Sequence, residues 1–147
     1  MCYTPAAMDP MDAKRRLLWH GMVIVLLALL VGAVVPAFRN PRMALSAHVG
    51  GVMTGLLVIG IGLMWPELRP DSRTATLYRT TLVAGWLNFG ALPLAATFGT
   101  SSLTPFAGAG YGGAPWAEAL VTVVLTVGAI AIIAACVLVL RGLGSDR

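Results

Sequence analysis

Charge is scarce in this sequence. Of 147 residues, 11% are Asp, Glu, Lys or Arg and 58% are hydrophobic; mean hydropathy is +0.84. About a quarter of the residues of a soluble domain are charged, so the composition excludes an ordinary water-soluble fold and indicates an all-α integral membrane protein. Cysteine is nearly absent as well. Cys2 and Cys136 lie far apart and form neither a disulfide framework nor a CxxC metal site; Cys136 reads as a small buried apolar residue. Ten Lys and Arg against six Asp and Glu give a net charge of +4. These charges sit in connections and ends, with no basic stripe interleaved with aromatics, which excludes a nucleic-acid partner. No Asp, Glu, Lys or Arg stands in the middle of a hydrophobic run, so the membrane carboxylate that a proton-coupled four-helix exporter needs is missing.

What is present is four apolar runs, at about 17–36, 44–65, 77–98 and 116–140. Each is near the roughly 20 residues that cross a hydrocarbon core as a helix. They predict a single membrane domain, a bundle of four transmembrane helices, preceded by a tail over 1–16. The first run follows Lys14-Arg15-Arg16 but has no small-residue cleavage site after it, and reads as a retained span. Lys14, Arg15, Arg16, Arg69, Arg73, Arg79, Arg141 and Arg147 fall on one side of this topology, and Arg39 and Arg42 on the other. The positive-inside bias then puts both termini in the cytoplasm of a bacterial inner membrane. Trp19, Trp65 and Trp116 lie near span ends, as interfacial tryptophans do. The third connection, about 99–115, is long and rich in Gly, which fits either a flexible loop or a lid over a site. No half of the chain repeats the other.

The polar residues within the spans carry the functional information, because each is costly in lipid. His20 and His48 are the only histidines. They start successive, oppositely directed spans, so roughly 20 Å or more should separate them, and they cannot share a metal within one chain. His20 reads as an interfacial hydrogen-bonding group. Gly51 and Gly55 follow His48 at i+3 and i+7 on its own face. One reading of Gly51-xxx-Gly55 is close helix packing; the other is a strip along which a planar cofactor lies, with His48 as axial ligand. Thr54 and Asn88 should reach the middle of the bilayer at similar depth. Asn88 either pins two helices or orients a substrate heteroatom. Arg39 and Arg42 either anchor lipid head groups or donate to carboxylates of a cofactor or substrate.

The run Pro36-Ala-Phe-Arg-Asn-Pro-Arg-Met-Ala-Leu-Ser-Ala-His-Val-Gly-Gly-Val-Met-Thr-Gly55 resembles the signature region of the hydroxylaminobenzene mutases. Trp19-His-Gly21 and Cys136-Val-Leu-Val-Leu resemble them too, so the likeness extends over nearly all the chain after Lys14. A more distant likeness, through Ala47-His48 and Gly85-Trp-Leu-Asn88, is to styrene oxide isomerase. The resemblance implies a mutase that rearranges an aryl hydroxylamine to an aminophenol. It also implies haem b held between the subunits of a homotrimer, with His48 as iron ligand and ferric iron as Lewis acid. Arg39 and Arg42 would then suit the haem propionates, Asn88 and Thr54 would orient the oxygen, and Trp86 would stack on the small aromatic substrate. Thr54 stands where both families have asparagine. Ala84 and Leu92 stand where styrene oxide isomerase has an aspartate and a catalytic tyrosine, which argues against epoxide isomerisation by the same constellation. The competing readings are a haem-binding electron carrier, which usually has two strong axial ligands, and a cofactor-free helical scaffold.

Overall fold

In a computed structural model, residues 10–68, 73–108 and 110–144 are described; Cys2, Arg69 and Arg147 lie outside them. Four long helices form: α1 (Pro10–Ala33), α2 (Pro41–Met64), α3 (Thr74–Phe98) and α5 (Pro115–Leu143), with a single turn, α4 (Pro105–Gly108), in the third connection. Short 3₁₀ turns, Val35–Ala37 and Trp65–Glu67, follow α1 and α2. All four long helices are long and apolar enough to cross a bilayer, as the hydrophobic runs require.

The helices start where the chain supplies a stop or a cap. Asn40 caps α2, accepting from Met43 N–H at 3.1 Å, and Pro41 follows at the first helical position, where its missing N–H costs nothing. Gly99 ends α3 with φ +68, a left-handed cap that a residue with a Cβ adopts only at a cost. Residues 1–9 of the expected tail over 1–16 lie outside the described residues; over 10–16 the chain is already helical, α1 running through the basic residues from Pro10. Ala13 and Leu17 are buried there against Trp65, Leu68, Leu77 and Val139, while Arg15 and Arg16 stay exposed on the other side. A hydropathy count stops at Lys14; a helix with one buried face does not.

α1 packs along α2, α3 packs between α2 and α5, and α1 touches α3 less extensively. The ends of this array differ in composition. The first cluster, at the end carrying Ala13, Leu68 and Leu77, also gathers Ala135 and Val139. A second, at the opposite loop end, holds Met43, Ala44, Ala95, Ala96 and Val121. Trp65 belongs to the first cluster. It is 3% exposed and lies edge-on to Tyr78, so it is a core residue and not an interfacial one. Trp19 and Trp116 are exposed. α5 buries only 17% of its most apolar window, against 39% for α3; its outward face is left for lipid or for another chain.

Candidate functional site

His48 is half-buried on α2 and turned toward α1. A Cβ on Gly32 would stand 2.5 Å from His48 Nδ1, so the imidazole lies directly over that glycine. Nδ1 is 2.9 Å from the carbonyl oxygen of Ala28. A carbonyl can only accept, so Nδ1–H donates. That contact fixes the tautomer and leaves Nε2 with its lone pair free. This is the arrangement in which a histidine is held ready to ligate a metal through one nitrogen by its other nitrogen's bond.

Gly51 and Gly55 do not leave an open strip beside it. A Cβ on Gly51 would meet Ala28 and Phe89 at 2.7–2.8 Å, and one on Gly55 would meet Val25 and the Gly21 carbonyl at 2.6–2.7 Å. Both glycines are buried in the α1–α2 contact, with Gly21 the answering glycine on α1. Within one chain they serve close backbone approach, the first of the two roles the spacing allowed.

Thr54 and Asn88 meet the depth expectation. Gly50 lies under Leu92 and Gly85 under Val58, and Thr54 stands midway in the row from Gly50 to Val58, so it faces α3 at the level of Asn88. The Asn88 side chain is turned to α5, over Gly128, where a Cβ would stand 2.8 Å from Nδ2. Nδ2–H donates to the Ala84 carbonyl at 3.0 Å, leaving Oδ1 as an acceptor. Trp86 is not beside Asn88. Two residues apart on a helix is about 200°, and Trp86 points to α1, where Nε1–H donates to His20 Nδ1 at 3.3 Å. Trp19, His20, Trp86 and Phe89 form a run of edge-on rings. His20 is eight residues, or about 12 Å of rise, from Ala28. The two histidines are thus apart, though nearer in depth than the spans alone indicated.

Arg39 and Arg42 do not reach toward His48. Arg39 donates to the Phe98 carbonyl at 3.0 Å and to Gly112 at 3.4 Å, and Arg42 to Phe106 at 3.5 Å. The physical reason is local: the last carbonyls of α3 and those of a Gly-rich connection lack helical donors. Two more residues complete this clamp: Asn40, which the sequence groups with Arg39 and Arg42, and Glu118, which sequence reasoning missed. Asn40, fully buried, donates from Nδ2 to the Ala107 carbonyl at 3.1 Å, and its own N–H donates to Ala96 at 3.0 Å. Glu118, in the first turn of α5, accepts from the N–H groups of Ser101, Ser102 and Gly113 at 2.9–3.0 Å. The third connection is therefore held from both sides. Asn-Pro before an apolar run and Glu three residues after Pro115 were the legible signals. Cys136 is half-buried with a free thiol, where burial was expected.

Among the described residues no cluster of three or more His, Cys, Asp or Glu could hold a metal. No solved structure matches the chain significantly. The styrene oxide isomerase family matches residues 13–144. Hydroxylaminobenzene mutase HabB of Ectopseudomonas oleovorans is 34% identical over 146 residues, covering 97% of this chain and 87% of that protein. Hydroxylaminobenzene mutase HabA of the same organism is 34% identical over 125 residues, covering 84% of this chain and 93% of that protein. The resemblance read in the central run thus extends along both sequences, and the chain belongs to the styrene oxide isomerase family, a family of isomerases that spans the membrane several times.

Proposed function

We propose that this protein is a membrane isomerase that rearranges an aryl hydroxylamine to an aminophenol. The observation that carries this reading is the 34% identity to two hydroxylaminobenzene mutases over most of the chain. Ala84 and Leu92, in place of acidic and phenolic side chains, favour it over epoxide isomerisation. The reaction balances without a reductant: the N–O bond breaks, a ring C–O bond forms, and the displaced ring proton ends on nitrogen.

His48 fits as the holder of haem b, because its Nδ1–H is committed to Ala28 and its half-exposed ring keeps Nε2 for iron. When bound, ferric haem would supply a Lewis acid that polarises the N–O bond without net redox change. The chain's own residues supply the rest. Asn88 Oδ1 and the Thr54 hydroxyl, at one level of the bundle, hold the hydroxylamine oxygen by hydrogen bonds. The apolar walls of the spans exclude water that would otherwise compete for the electron-poor ring. Trp86 lies on the opposite face of α3, so it does not stack on a substrate held by Asn88 of the same chain.

His48 belongs to the α1–α2 seam and Asn88 to the α3–α5 seam. One small substrate meets both across a contact between copies, which favours a homo-oligomer, a trimer by family likeness. The protein sits in a bacterial inner membrane with both termini cytoplasmic, in keeping with the bias of Lys and Arg. The test is chromatography of phenylhydroxylamine incubated with the purified protein. An aminophenol of unchanged mass is expected. Aniline as the only product, or turnover of styrene oxide but not of the hydroxylamine, would overturn the reading.

A further inference from the structure

The aromatic run from His20 to Phe89 leads into a feature that the reaction does not use. An apolar groove of about 640 Å³ lies between the loop-end halves of α1 and α3, lined by Leu27, Val31, Val34, Phe89, Gly90 and Thr97 among others. It opens sideways from the bundle, on the face of α3 that carries Trp86 and away from α5. Gly90 makes part of its floor, and a Cβ there would meet nothing within 4 Å. Such a groove at bilayer depth is open to an acyl chain.

The mouth of the groove is not apolar. A second hollow, about 530 Å³, adjoins it at Val34 and Thr97 and is lined by Ala37, Phe38 and Arg39. Arg39 is exposed, and the two bonds to Phe98 and Gly112 carbonyls use two of its five N–H donors. The same bonds hold its guanidinium beside the hollow, so little side-chain freedom remains to be lost on binding. In the connections at this end, Arg39 and Arg42 are the only Lys or Arg, and Arg42 is directed to Phe106 on α4. A fixed cation at the end of an apolar channel matches a phosphate attached to a hydrocarbon chain.

We propose that this is a binding site for an anionic phospholipid, with one acyl chain in the α1–α3 groove and the phosphate on Arg39. The site is independent of the reaction proposed above. It needs neither His48 nor Asn88, and its test reads lipid and not turnover.

The experiment is native mass spectrometry of the detergent-purified full chain, with added phosphatidylglycerol or phosphatidylcholine of identical acyl chains, or inorganic phosphate alone. The wild type is expected to retain one phosphatidylglycerol per chain with about fivefold preference over phosphatidylcholine, the size of one Arg contact to an anionic head group, and to retain no phosphate. Arg39→Gln should erase the preference. Because that change also loosens the third connection, Gly90→Leu is the second variant. It fills the groove in open space and has higher helix propensity than glycine, so its melting midpoint in lipid-free detergent should not fall while retention of both lipids does. Equal retention of the two lipids by wild type, undiminished retention by Gly90→Leu, or retention of inorganic phosphate alone would each overturn the proposal. A change in oligomer mass in Gly90→Leu would overturn it too, assigning the groove to a contact between copies.

Discussion

The α1–α2 and α3–α5 seams are both antiparallel helix contacts, and they are built differently. Along α1–α2, glycine faces the partner at Gly21, Gly32, Gly51, Gly55 and Gly62, and a Cβ at any of them would come within 2.5–3.0 Å of a neighbouring atom. The α3–α5 seam has one such glycine, Gly128, and what fills the space above it is the amide of Asn88. In a bilayer, helices are not driven together by the hydrophobic effect, so close packing and polar contacts decide the association. The first seam uses packing and therefore has a single spacing. That spacing is what brings the Ala28 carbonyl to His48. The second uses a polar side chain, the amide of Asn88, which suits the substrate-holding role proposed for it.

The comparison breaks first at His48. His48→Ala should cut aryl hydroxylamine turnover by at least about a hundredfold, near 2.7 kcal/mol. It should leave the folded yield close to wild type, since one neutral hydrogen bond contributes about 1 kcal/mol. Initial rates at matched folded protein check this. Next in size, Gly55→Val drives a side chain into Val25 and the Gly21 backbone. Overpacking of this kind costs about 1–3 kcal/mol, seen as a lower melting midpoint. At the loop end, Asn40→Ala removes the cap of α2 and the bond to Ala107, and should destabilise by about 0.5–2 kcal/mol. Proteolysis within the third connection should speed up alongside. Smallest is Gly128→Ala. Its Cβ comes closest to the movable end of the Asn88 side chain, at 2.8 Å, with the Asn88 backbone nitrogen behind it at 3.3 Å, so a stability loss of about 1 kcal/mol is expected, with a larger effect on turnover than on folding. If Gly128→Ala destabilised as much as Gly55→Val, the two seams would not differ as described.

The spans were legible because a bilayer admits little else than apolar helices. The start of α1 was not, since a helix continues through Lys14, Arg15 and Arg16 so long as Ala13 and Leu17 find a buried face. Trp65 looked interfacial from its position and proved to be core, because α2 ends by turning it inward onto Tyr78. The common depth of Thr54 and Asn88 followed from counting residues along antiparallel helices. The divergence of Trp86 from Asn88 was equally present in their spacing, at about 200° around α3. The direction of Arg39 and Arg42 was hidden. It depends on which carbonyls the third connection leaves without donors, and only the assembled loop end shows that. Likewise, the pairing of Trp86 with His20 joins residues 66 apart in the chain and exists only once α1 and α3 meet.

The central claim is that the α1–α2 seam presents His48 as an iron ligand, and the absorption spectrum of the detergent-purified wild type beside His48→Ala tests it most directly. After expression with ample haem, a strong haem band in the wild type that is lost in the variant is predicted. A colourless wild type, or a band that survives the loss of the imidazole, would contradict it.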